Sequence, residues 1–155
     1  MFGVNVVVSP QKTDCGPTCL NMLLSYYGIA SDVNALSKEC GISVSGVTMA
    51  ALKRAGEARG LDMRAYDMDA EYLASRDRPA IIWWRYKHFC IFDGLDESGK
   101  VVFINPDSGR MRLGLESFSR LYAGKALFAG EPQELIAIDP LDAAMDALDA
   151  ALGGE

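Results

Sequence analysis

Apolar positions in the first part of the chain recur at helical spacing. Leu20, Leu23, Leu24 and Tyr27 fall at i, i+3, i+4 and i+7, which predicts one buried stripe on a first helix. Gly28 follows as a stop, and Asp14 stands before the start as a cap. A second short helix is predicted after Ser31, carrying Val33 and Leu36. A third begins near Ser45 or Gly46, carries Met49 and Leu52, and ends before Gly60. A brief fourth helical turn follows Asp69, with Tyr72 and Leu73 facing inward.

The pattern changes once, near Pro79. The stretches 80–84, 89–93 and 101–104 are short, apolar and rich in β-favouring residues, so they predict strands. Glu97-Ser98-Gly99-Lys100 joins the last two as a hairpin turn. Another strand is expected over 110–113, then a helix over 116–122, then strands near 126–129 and 135–138. Asp139-Pro140 reads as a cap and first helical position. Leu141, Met145, Leu148 and Leu152 make an amphipathic helix to the C-terminus. Helices first and an antiparallel sheet second give an α+β fold.

Composition bounds this picture. The chain has 155 residues, half of them hydrophobic and 23% charged, which suits one globular domain with a sizeable core. A net charge of -6 argues against a nucleic-acid partner, which needs a basic face. Trp83-Trp84-Arg85 could suggest base stacking, but an aromatic pair inside a strand reads more simply as packing. No apolar run reaches membrane-span length, and the N-terminus lacks the charged segment of a signal peptide. The expected location is therefore cytoplasmic, with the four cysteines reduced.

The chain holds one histidine, so any imidazole chemistry must use His88, at the head of an apolar strand. Cys19 and Cys90 read as small core residues, and Cys40 as a helix-end residue. Cys15 differs because it stands at the start of the first helix, where the dipole and free N–H groups favour a thiolate. Paired with His88 it would be an activated nucleophile, and Gln11, four residues upstream, could offer its amide to an oxyanion. The plainer reading makes Cys15 a buried cap residue and Gln11 ordinary surface. Cys15 and Cys19 share a helical face, but four ligands in paired spacings are missing, so no metal is expected. No phosphate-binding glycine loop is present either, so no cofactor is expected. Asn105, 17 residues after His88 and at the end of the next strand, is placed to orient the ring. Asp107 is its rival, two residues further into the turn.

Together these residues resemble the papain-like cysteine peptidases of family C39, the leader-removing domains of bacteriocin-processing ABC transporters. The resemblance rests on Gln11, Asp14-Cys15-Gly16, Cys19-Leu20, Met22-Leu23 and Tyr27-Gly28, then Gly46, Pro79, His88-Phe89, Asn105-Pro106 and Gly109. It spans about residues 6 to 130 in the correct order. It implies a papain-like fold, with Cys15 as nucleophile, His88 as base, Gln11 as oxyanion donor and Asn105 where the family usually has Asp. Pro17 departs from the pattern and resembles the broader C39-like group.

The implied reaction removes a helical leader from a ribosomal precursor peptide by cutting after Gly-Gly. The implied partners are that precursor and the membrane and nucleotide-binding parts of a transporter, at the cytoplasmic face of the inner membrane. A non-catalytic leader-docking module and an acyltransferase or ligase with the same Cys-His pair are the alternatives. The peptidase domain is expected over 1–135, and 136–155 as an added tail. That tail closes in Gly153-Gly154, with Ala151 and Leu148 fourth and seventh counting back from Gly154, so it has the look of such a leader.

Overall fold

The computed structural model describes residues 1–9, 14–41 and 47–130. Among these residues, five helices and six strands follow in the order α1 (Cys15–Tyr26), α2 (Val33–Cys40), α3 (Met49–Glu57), β1 (Met63–Asp67), α4 (Ala70–Ala74), β2 (Ala80–Trp84), β3 (His88–Leu95), β4 (Val101–Asn105), β5 (Gly109–Leu113), α5 (Leu115–Leu121) and β6 (Tyr122–Ala129). Gln11, the 135–138 strand, the tail and the proposed domain boundary lie outside the described residues.

The strands form one antiparallel sheet in the order β1-β6-β2-β3-β4-β5. Alternate residues of each strand point to opposite faces, so the sheet carries two cores. Ile81, Ile91, Ile104 and Leu127 face α1, α2 and α3 on one side. Ile82, Phe92, Phe103 and Phe128 face α4 and α5 on the other, with Leu73 and Phe118. Trp84 belongs to this second core, 5.0 Å from Phe103 and 5.8 Å from Phe118 between ring centres. Trp83 packs on Phe89 at 4.4 Å, so both tryptophans are packing residues.

Helix α1 is central. Every residue from Cys15 to Leu20 is buried, as are Met22, Leu23 and Leu24. The helix lies between the sheet and α2–α3, so more than one stripe of its surface is covered. Tyr27 corrects the predicted stripe: it is the residue after the helix and is exposed. Gly28 does end the helix, at φ +80°, with its N–H donating to Ser25 O at 2.9 Å.

Asp14 is a second correction. It makes no side-chain cap bond to the helix; Ser37 Oγ of α2 donates to its Oδ1 at 3.0 Å instead. Its backbone, at φ -95° and ψ 7°, is not in the extended conformation that lets a cap side chain fold back on the first turn. The starts of α2, α3 and α4 follow the cap rule, whereas α5 starts at Gly114 with no side-chain cap. Asp32, Thr48 and Asp69 accept from the N–H groups of Ala35, Ala51 and Tyr72. Thr48 therefore sets the start of α3, later than Ser45 or Gly46. Strand β1 is the third correction: by its pattern the chain before Pro79 reads as helices, yet Met63–Asp67 is a strand. It is a short edge segment whose register is set by β6, from Met63 opposite Ala129 to Asp67 opposite Lys125.

Candidate active site

Cys15 is the first residue of α1 and 9% exposed, at the helix end whose N–H groups lack intrahelical partners. Gly16 lets this helix start sit close to its neighbours. A Cβ there would stand 2.6 Å from Val47 Cγ2, 3.2 Å from Phe89 and 3.3 Å from Leu52. The glycine thus seats the thiol against α3 and the beginning of β3.

His88 opens β3 beside Trp84 of β2. The turn between them holds Lys87 at φ +59°, the one non-glycine residue with positive φ among the described residues. Sequence reasoning missed this strained position. A left-handed lysine directly before His88 has no signature that spacing or composition could reveal.

The imidazole is held on both sides. Its Nε2 lies 2.9 Å from Asn105 Oδ1 at the end of β4. The same oxygen accepts the Asp107 backbone N–H at 2.8 Å. A backbone N–H can only donate, so the atom facing the ring is the amide oxygen and Nε2 carries a hydrogen. The side chain of Cys15 is the ring's other hydrogen-bonding partner. Asp107 stands further off, its Oδ2 at 3.9 Å from Nε2.

The hydrogen bond with Cys15 is the main reason the imidazole pKa is raised above its ordinary 6.5. Burial works against this rise, while Asn105 and the Asp107 charge add to it.

None of the remaining cysteines is among the imidazole's polar partners. Burial raises the thiol pKa of Cys19 and Cys90 well above the ordinary value and pushes that of Cys40 up to about 11. Cys19 and Cys90 are fully buried. Among the described residues no group of three or more His, Cys, Asp or Glu side chains is arranged to hold a metal ion. No helix of the described residues is long and apolar enough to cross a membrane.

Residues 3–134 match the profile of the Peptidase C39 family. The chain belongs to that family. Its C39 domain is 28% identical over 134 residues to a probable microcin secretion/processing ATP-binding protein of Escherichia coli, covering 86% of this chain and 19% of the relative. It is 27% identical over 124 residues to the colicin V secretion/processing ATP-binding protein of Escherichia coli, covering 80% and 18%. The chain thus spans about a fifth of the length of these relatives. Among solved structures, the C39 domain is similar to a double glycine motif protease from an AMS/PCAT transporter, crystallised with the leader peptide. The TM-score is 0.78 at 26% identity, over 83% of this chain and 91% of that one. The α+β, papain-like fold expected from sequence is the fold found.

Proposed function

We propose that this chain is a cysteine peptidase that frees ribosomally made peptides from a helical leader by cutting after a Gly-Gly pair. The observation that carries the reading is the hydrogen-bonded series from Cys15 through His88 to Asn105 at the start of a buried helix. In this reading His88 Nδ1 takes the thiol proton, and the thiolate attacks the carbonyl carbon of the second Gly. The Gln11 amide donates to the resulting oxyanion. The imidazolium then gives its proton to the departing amine of the core peptide. A water, deprotonated by the same imidazole, hydrolyses the thioester and releases the leader. Asn105 acts by fixing the ring and its tautomer, a task that needs an acceptor and not a charge.

The substrate class is supported by likeness to the double glycine motif protease bound to a leader peptide. The relatives named for secretion and processing support work beside the membrane and nucleotide-binding parts of an ABC transporter, at the cytoplasmic face of the inner membrane. An intact nucleophile and base argue for cutting over docking alone.

The test is mass spectrometry of a Gly-Gly precursor incubated with the protein. The expected products are the leader ending in Gly-Gly and the free core peptide. Cys15→Ala should bind the precursor and release neither. An Ala-Ala precursor cut as fast as the Gly-Gly one would overturn the specificity. Products from Cys15→Ala would overturn the mechanism.

A further inference from the structure

Asp93 is a fully buried carboxylate in β3 that the proposed chemistry does not use. Its neighbour Gly94 sits at φ +90° in the irregular stretch of the β3–β4 pairing between Phe92 and Leu95. A Cβ on Gly94 would lie 3.2 Å from Met1 Cα, so the N-terminal segment crosses directly over this point. The Phe2 N–H donates to Asp93 O at 3.1 Å, and the Val4 N–H to Asp93 Oδ1 at 3.2 Å. The partner of the carboxylate is Arg110 of β5. Its Nε and Nη2 both lie 3.2 Å from Asp93 Oδ2, and Nη2 also donates to Val4 O. One guanidinium therefore ties β5 to both β3 and the N-terminal segment. Further along, the Ser9 N–H donates to Pro106 O at 2.8 Å.

These contacts bracket one turn. Asn105 and Gly109 are paired across the β4–β5 hairpin. Pro106 follows Asn105, and Arg110 follows Gly109. Segment 1–9 is thus fastened to both flanks of the turn that presents Asn105 to His88. We propose that Arg110, through Asp93 and the N-terminal segment, is a positioning residue that holds Asn105 in register with the imidazole; this rests on the peptidase reading above.

The choice of groups fits the role. Burying a carboxylate is costly and an apolar pair of similar size serves stability as well, whereas a guanidinium fork fixes direction.

The experiment is a double-mutant cycle on the full chain, with Arg110→Met, Asn105→Ala and their combination. A residue acting through Asn105 loses its effect once Asn105 is gone. Arg110→Met should lower kcat roughly 10- to 100-fold with KM within about twofold, and change kcat by less than about twofold in the Asn105→Ala background. Multiplying effects, or a loss that only follows the fraction unfolded, would overturn the proposal.

Ser9→Pro removes the bond to Pro106 without touching the buried pair and decides the matter if Arg110→Met does not fold. Its kcat should fall roughly three- to tenfold with the same non-additivity; an unchanged kcat would count against the proposal. If the wild type leaves Gly-Gly precursors uncut, the function reading fails by itself. The same cycle is then read from the rate of Cys15 alkylation by iodoacetamide. A slower rate in Arg110→Met, unchanged by it in the Asn105→Ala background, supports the positioning role, and independent effects overturn it.

Discussion

Asn105 meets His88 with an oxygen that is also pinned by the Asp107 N–H. The amide is thereby prevented from flipping to present its NH2 group, and the imidazole keeps one tautomer. Asn105→Ala should lower kcat by roughly ten- to a thousand-fold, and Asn105→Asp should retain most activity, because a carboxylate accepts the same bond. Steady-state kinetics check this; a silent Asn105→Ala beside a damaging Asp107→Ala would make Asp107 the orienter. The Asp107 carboxylate, 3.9 Å from Nε2, has a separate effect. It helps to raise the imidazole pKa, so the protonated ring survives to higher pH than an ordinary histidine. An active thiolate–imidazolium pair is lost as pH rises through that raised value. Asp107→Asn should therefore move the alkaline limb of the kcat/KM profile to lower pH. An unmoved limb would show that its charge does not reach the ring. Differential alkylation provides another check. Iodoacetamide should modify Cys15 before Cys19, Cys40 or Cys90, whose thiols burial keeps protonated. Equal labelling of all four in the native protein would remove the case for an activated thiol.

Helix α1 couples the thiol to the core. Its start is seated by Gly16 against Val47, Leu52 and Phe89, all of them short or buried side chains with little room to retreat. Gly16→Ala should cost about 1–3 kcal/mol of stability in urea denaturation, the usual range for overpacking. It should also slow Cys15 alkylation, since the helix start must move away from β3 and with it from His88. Normal stability and reactivity would mean that the contact relaxes freely. By residue type Asp14 suits a cap, but α2 supplies Ser37 as a competing donor. Strand β1 has a weak pattern of its own and forms because β6 offers it a partner.

The sheet separates two cores, and only one of them adjoins the thiol. Phe118 is fully buried on the far face, among Trp84, Phe103 and Tyr122. Phe118→Ala should cost about 3–5 kcal/mol in thermal or urea unfolding. The alkylation rate of Cys15 should stay within about twofold of wild type at temperatures where the variant is folded, because the Phe118 ring packs in the core on the opposite face of the sheet from Cys15. A large loss of reactivity in folded protein would show that the two layers are coupled. By itself the sequence determined most helices and strands, because apolar period and glycine, proline and cap residues act over a few positions. It also singled out Cys15, His88 and Asn105, because one histidine and one helix-start cysteine leave little choice of chemistry. Tertiary structure alone decided the choice of 2.9 Å to Asn105 over 3.9 Å to Asp107, the left-handed Lys87 before the imidazole, and the pairing of β1 with β6. It also decided the clasp of Arg110 on Asp93 and Val4. Each of these depends on how distant segments meet across the sheet, and local spacing carries no record of that.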